Sequence, residues 1–129
     1  MERGFSPVAA KTPLPFRRNM VHYNMSEQAK GDDTAMIKHV VCHRYNDRAK
    51  AELIAPMLRG LVGQVPGLLH MEAGADVLGS ARSYDLALVA TLEDRAALEV
   101  YAKHPAHLKV KDYIHQYLES SVSVDFEVE

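Results

Sequence analysis

The hydrophobic and polar positions of the chain follow a regular pattern only from Met36 onward. Four segments there are rich in β-branched and apolar residues, which is typical of β-strands. The predicted strands are Ile37 to Tyr45, Leu68 to Ala75, Tyr84 to Leu92 and Val122 to Val128. In the last of them apolar residues at even positions alternate with polar residues at odd positions, so this strand has one apolar and one polar face.

A first helix is predicted between the first two strands. Asp47 can cap its start, and the pattern extends to about Val62. The apolar stripe of this helix consists of Leu53, Met57, Leu58 and Leu61. Pro56 lies in the middle of the segment, where it removes a backbone hydrogen bond, and therefore predicts a kink or a late helix start.

Two further helices are predicted after the third strand. Asp94 can cap a short helix that includes Tyr101. Proline is favoured in a first turn because its missing N–H would have no partner there, so the next helix begins at about Pro105 and extends to about Leu118. On this helix His107 shares a stripe with residues at three- and four-residue spacing, which should be buried. The other members of the stripe are Val110, Ile114 and Tyr117.

The order of these elements is β-α-β-β-α-(α)-β, which predicts an α+β fold of the ferredoxin-like type with a four-stranded antiparallel sheet. Helices within the chain can cover only one face of such a sheet. The third strand is nonetheless apolar on both faces, with Leu86, Leu88 and Ala90 on one and Ala87 and Val89 on the other. Because both faces must then be covered, we predict that a second copy of the chain covers the bare one and that the protein is a homodimer.

Composition narrows the range of partners. The chain has 129 residues, of which 47% are apolar and 25% charged, and its formal net charge is −2. These values indicate one soluble domain without a basic surface for nucleic acid or an anionic membrane. No apolar run approaches the about 20 residues that span a bilayer. The single cysteine, Cys42, excludes an internal disulfide and predicts a reducing, cytoplasmic location.

Residues 1–35 differ from the rest of the chain. They contain prolines, basic residues and a polar run without sustained periodicity, and they lack the apolar core of a secretory signal. We therefore predict a flexible tail over residues 1–35 and one folded domain over residues 36–129.

Several segments match a known family in order and spacing. They are Met36 to Val41, Val65 to Gly67, Tyr84 to Val89, Leu98 to His107 and Val124 to Phe126. Over this span the chain resembles the stress-responsive α/β-barrel domain family. The resemblance implies a dimeric α/β barrel, in which two protomers lay their sheets face to face with the helices outside. It implies no particular reaction, so our first interpretation is a homodimer that binds a small apolar or carbonyl compound.

The chain is also similar to plant polyketide cyclases of the olivetolic acid cyclase type. These enzymes close a linear poly-β-ketone by aldol condensation without a metal or an organic cofactor. The matching positions are His39 in the first strand, Tyr101 in the second helix and His107 in the third. The resemblance implies a histidine base for an acidic C–H proton and a tyrosine donor for the enolate oxygen. The chain departs from this branch at Leu58, where the cyclase has a further pocket tyrosine.

Other interpretations of the same residues remain open. His39 and His107 could be core histidines bonded to protein groups, and Tyr101 could serve packing alone. A metal site that adds His43 and His104 is disfavoured, because no spacing matches a known ligand set. A cofactor-free oxygenase is a further alternative for which the sequence offers no discriminating feature. The remaining histidines are expected on loops or surfaces: His22, His70 and His115.

Overall fold

The computed structural model describes residues 34–128, which form strands and helices in the predicted order. The elements are β1 (Ile37–Tyr45), α1 (Lys50–Arg59), β2 (Leu68–Ala75), β3 (Leu86–Leu92), α2 (Arg95–Lys103), α3 (Pro105–His115) and β4 (Leu118–Glu127). This order confirms the ferredoxin-like fold. The tail predicted over residues 1–35 lies outside the described residues except at positions 34 and 35. Among residues 34–128 no helix is long and apolar enough to cross a bilayer.

The strands form one antiparallel sheet in the order β2-β3-β1-β4, so β1 is central and β4 is an edge strand. Successive residues of a strand point to opposite faces, and the odd-numbered residues of β1 face the helices. The core lies between this face and the helices. Its most enclosed side chains, each at most 2% exposed, include Ile54, Leu58, Leu92 and Tyr101.

The other face of the sheet, here called the open face, is apolar at its centre and is defined by Val40, Val89, Val122, Val124 and Phe126. Val40 pairs with Val89 of β3 on one side and with Val124 of β4 on the other. The β4 side chains are the most exposed, at 49% for Val122, 62% for Val124 and 50% for Phe126. The sheet is therefore apolar on both faces, and a contiguous apolar surface of this kind favours contact with another protein surface.

Helices α2 and α3 begin at the residues that the sequence predicted, Asp94 and Pro105. The carboxylate of Asp94 accepts a hydrogen bond from the backbone N–H of Ala97 at 2.8 Å and caps α2. The Nδ1 atom of His104 accepts one from the N–H of Ala106 at 3.0 Å, and Pro105 occupies the first turn of α3. His104 therefore has a structural role at the start of a helix.

Helix α1 differs from the prediction. It runs from Lys50 through Pro56 without a late start and ends at Arg59 rather than near Val62. The carbonyl group four residues before Pro56 loses its helical partner, but it belongs to an exposed residue and water can bond it. Leu53 of the predicted stripe is 54% exposed. The residues of α1 that are buried are Ala51, Ile54, Ala55 and Leu58.

Other boundaries shift by a few residues. β3 begins at Leu86 rather than Tyr84, and α3 ends at His115 rather than Leu118. β4 already begins at Leu118, because this residue pairs with Tyr45 at the end of β1. Pairing with β1 thus places Leu118 in a strand, although the local pattern predicted that it ends a helix.

Candidate functional site

A cavity of about 320 Å³ lies between the sheet and the helices. His39 of β1, Tyr101 of α2 and His107 of α3 all line it, so the structure brings the three predicted site residues together. Leu58, at the position where the chain departs from the cyclase branch, lines it as well. Small-molecule sites commonly measure about 300–1,000 Å³, so the cavity suits a small compound.

A larger concavity of about 510 Å³ lies on the sheet beside the open face. Cys42, Ala87 and Val89 line it from the sheet, and Val77 lines it from the loop after β2. No histidine is among its lining residues. The sequence predicted that a second copy covers this side of the sheet, so the inner cavity, where titratable rings meet, is the candidate site.

Asp125 of the edge strand holds His39 in place. The two residues pair directly across β1 and β4, and the Nδ1–H of His39 donates a hydrogen bond to Oδ1 of Asp125 at 2.5 Å. Their side chains are 20% and 40% exposed, which places the pair near the solvent-accessible border of the cavity. Because Nδ1 is bonded to the carboxylate, Nε2 is the nitrogen that can accept a proton.

Sequence reasoning did not identify Asp125 as a site residue. The signal was present in the alternation of the last strand, whose odd positions are polar. Only the register shows that this polar face is shared with His39, since Asp125 lies opposite it in β1.

Tyr101 lies between the two histidines. Its ring stacks on that of His107 with 4.1 Å between centroids and 22° between planes. It meets the ring of His39 edge-on with 5.8 Å between centroids. Burial raises the pKa of Tyr101 to about 12, so the phenol stays protonated at neutral pH and can donate a hydrogen bond.

His107 contains a buried nitrogen that the described residues do not bond. Its Nδ1 atom is enclosed and has no hydrogen-bond partner among residues 34–128. Burial lowers the pKa of His107, the backbone of Tyr101 partly opposes this, and the charge of Lys111 lowers it further. The ring is therefore neutral at pH 7. An unpaired buried polar atom is costly to the folded domain, and this one belongs to a ring that lines the cavity.

The residues around the cavity form three levels along β1. Strand pairing places one residue of β1 and one of β4 at each level, and we assign one residue of α3 to each level from its four-residue spacing. The first level consists of His39, Asp125 and His107, the second of Val41, Ser123 and Lys111, and the third of His43, Ser121 and His115. The charge interactions of His107 with His39 and of His43 with His115 support this order.

Sequence reasoning also did not identify Lys111 and His115 as residues that line the cavity. They follow His107 at positions i+4 and i+8 of the same helix, so the helical period was a usable signal. His115 is exposed, as predicted for a surface histidine, and it also borders the cavity.

His43 is a buried, neutral histidine at the third level. His43 is only 8% exposed. The hydroxyl group of Tyr45 donates a hydrogen bond to its Nδ1 atom at 2.9 Å. Burial, and to a lesser extent the neighbouring His115, lower the pKa of His43 to about 4. His43 therefore has a protein partner for Nδ1 and is neutral at pH 7.

We expect His43 to make the protein less stable as the pH falls from 6.5 to about 4. The unfolded chain takes up a proton near pH 6.5, whereas the folded ring resists it until about pH 4, so stability is complete above 6.5 and declines below it. The loss amounts to roughly 3 kcal/mol, since each pKa unit corresponds to about 1.4 kcal/mol. Urea unfolding of the native protein and His43→Asn between about pH 7.5 and 4.5 measures it. Parallel stability curves for the two proteins would contradict the prediction.

Among residues 34–128 no group of three or more His, Cys, Asp or Glu side chains is placed to share a metal ion.

Two further histidines of the domain lie outside the inner cavity. His104 caps α3, and His70 lies exposed on β2 beside Glu72, with 3.5 Å between Nε2 and Oε2. Neither lines the inner cavity.

Comparison with known proteins identifies a family by sequence and the same fold in solved structures. Residues 37–128 match the sequence model of a family described as Stress responsive A/B Barrel Domain. An uncharacterized protein of Streptomyces coelicolor is 32% identical over 77 residues, covering 56% of this chain and 79% of that protein. A dimeric ferredoxin-like protein of unknown function from Thermobifida fusca has 30% identity and a TM-score of 0.65, covering 73% of this chain and 92% of that one. The hydroxynitrile lyase of Passiflora edulis has a TM-score of 0.63 over 74% of this chain and 95% of that one, and at 16% identity it shows the fold alone.

Proposed function

The chain belongs to the stress-responsive A/B barrel family, and from this premise we propose that it is a homodimer that transfers a proton at the carbon beside a carbonyl group. The substrate is a small carbonyl compound bound in the inner cavity. The observation that carries the proposal is the convergence of His39, backed by Asp125, and Tyr101 on that cavity. Reactions of the cyclase or lyase type begin with such a transfer.

His39 is proposed as the general base. Its Nε2 atom accepts the proton from the C–H bond, and the electron pair of that bond shifts toward the carbonyl oxygen to form an enolate. The carboxylate of Asp125 holds Nδ1–H and stabilises the imidazolium that results. This arrangement supports a catalytic role because it fixes the ring of His39 and leaves Nε2 free of the carboxylate at the border of the cavity.

Tyr101 is proposed to stabilise the enolate oxygen. Its phenol is protonated at neutral pH, and a hydrogen-bond donor aimed at developing negative charge lowers the barrier to proton transfer. The contacts of its ring with His39 and His107 restrict its orientation. A rigid donor loses less entropy when the substrate binds.

His107 is proposed to bond the bound compound through its ring, which lines the cavity. The absence of a hydrogen-bond partner for Nδ1 among residues 34–128 supports this role. Because the ring is neutral, it can either donate or accept a hydrogen bond, depending on its tautomer. It therefore serves as a hydrogen-bond partner of the bound compound, and the proton returns to carbon from the imidazolium Nε2–H of His39, which regenerates the neutral base.

Dimer formation through the open face is part of the proposal. Its support is the exposure of Val122, Val124 and Phe126, together with the dimeric state of the Thermobifida fusca protein. A cytoplasmic location and the absence of a nucleic-acid partner remain predictions from the sequence. The small-molecule ligand itself is likewise a proposal.

The function can be tested by exchange of ketone protons with solvent deuterium. We expect the native protein to accelerate exchange at the carbons beside the carbonyl group of 2-pentanone, with saturation at high ketone concentration, followed by proton NMR in D₂O. Free imidazole at the same molar concentration is the control for unspecific histidine catalysis. An exchange rate no higher than that of imidazole would overturn the proposal. If the ketone bound without exchange, the protein would be a binding protein and not an enzyme for this reaction.

A further inference from the structure

The second level of the cavity contains a positive charge that the proposed proton transfer does not use. We infer that the substrate carries a carboxylate group and that Lys111, assisted by Ser123, binds it there. This inference rests on the proposed function for the position of the carbonyl group at the first level. It makes the substrate a keto acid rather than a neutral ketone.

The charges around the cavity support an anionic ligand. Its lining residues include Lys111 but no Asp or Glu. Two carboxylates of β4 already have partners, since Asp125 bonds His39 and Glu127 bonds Arg95 at 3.3 Å. Among residues 34–128 no carboxylate lies within ion-pair distance of Lys111. An ammonium group without an internal partner can bind a carboxylate from the ligand.

The spacing along the elements places the carboxylate at a useful distance from the reacting carbon. Lys111 follows His107 by four helical residues, or about 6 Å along α3. Ser123 precedes Asp125 by two strand residues, or about 7 Å along β4. Helix and strand therefore place their polar groups at the same level, and a short carbon chain between carbonyl and carboxylate spans the two levels.

Burial differs between the polar and the apolar residues that line the cavity. Lys111 and Ser123 are exposed, whereas Leu58, Leu88 and Ile114 of the cavity wall are buried. A carboxylate bound between Lys111 and Ser123 keeps part of its hydration, which avoids the large cost of burying a charge. The carbon chain can contact the apolar wall.

The experiment compares 4-oxopentanoate with its neutral methyl ester. Binding of each probe to the native protein is measured by NMR titration, and proton exchange is measured in the same samples. We expect Lys111→Ala to weaken binding of 4-oxopentanoate tenfold or more and to change ester binding less than twofold, since a hydrogen bond to a charged group contributes about 1.5–3 kcal/mol. Lys111→Arg should retain the preference for the acid.

Lys109→Ala is the matched control, because Lys109 is exposed on the same helix and does not line the cavity. It should leave binding of both probes unchanged. Equal effects of Lys111→Ala on acid and ester, no effect on either, or no binding of the acid to the native protein would overturn the inference. Selective binding of the acid without proton exchange would instead overturn the proposed function and retain the carboxylate site.

Discussion

Replacing Val40 with Asp should convert the dimer into a monomer or an insoluble chain. Val40 lies at the centre of the open face, between Val89 and Val124. If a second copy packs on this face, the variant buries a carboxylate without a partner, at a cost on the order of 3–5 kcal/mol. The dissociation constant should then rise by about 10²–10⁴-fold, given that 1.4 kcal/mol corresponds to a factor of ten. Light scattering at micromolar protein concentration measures the change.

Leu53→Asp is the matched control for this experiment. It introduces the same charge in place of an apolar side chain on α1 that is already 54% exposed, so the variant should remain a dimer. The interface of a stable complex exceeds about 1,200 Å² in total, which the open face must supply. A native protein that is monomeric, or a Val40→Asp variant that still dimerises, would show that the open face is not the interface.

Replacing His39 with Ala should reduce ketone proton exchange by about 10²–10³-fold, within the range that general bases contribute. Asp125→Asn should keep the shape of the site but remove the charge that stabilises the imidazolium. A hydrogen bond to a charged group contributes about 1.5–3 kcal/mol. This corresponds to a loss of about 10–100-fold in kcat, since 1.4 kcal/mol is a factor of ten in rate. KM should change little in the Asp125 variant, because Asp125 bonds His39 and is absent from the cavity wall.

Asp112→Asn serves as the control for charge, because Asp112 is exposed on α3 and does not line the cavity. It should leave the exchange rate unchanged. The melting temperatures of His39→Ala, Asp125→Asn and Asp112→Asn show whether a loss of rate comes from lost catalysis or from a destabilised fold. If His39→Ala and Asp125→Asn lower the melting temperature while the rate persists, the two residues support the fold and the proposed mechanism is wrong.

Local chemistry allowed much of the fold to be predicted. Asp94 and Pro105 mark the starts of α2 and α3 because capping and proline geometry involve only a few neighbouring residues. The third strand was predicted to be apolar on both faces, and the buried Leu88 and the half-buried Val89 confirm it. These features depend on periods of two and about four residues, which can be read directly from a chain.

Predictions failed where the tertiary arrangement outweighed the local pattern. Of the stripe predicted for the first helix, Leu58 and Leu61 are buried and Met57 packs against the core, but Leu53 is 54% exposed. Ile54 and Ala55 are buried in addition. Pro56 was expected to bend the helix or to delay its start, and the start is not delayed. Its missing hydrogen bond falls at an exposed position, where water can replace it.

The sequence by itself determined the order of elements, the two-sided apolar sheet and the placement of His39, Tyr101 and His107 on faces that point inward. Only the tertiary structure decided that Asp125 is the partner of His39 and that Lys111 and Ser123 line the same cavity. The reason is physical. Periodicity specifies the face on which a side chain lies, whereas the register between β1 and β4 and the packing of α3 specify which distant side chain it meets.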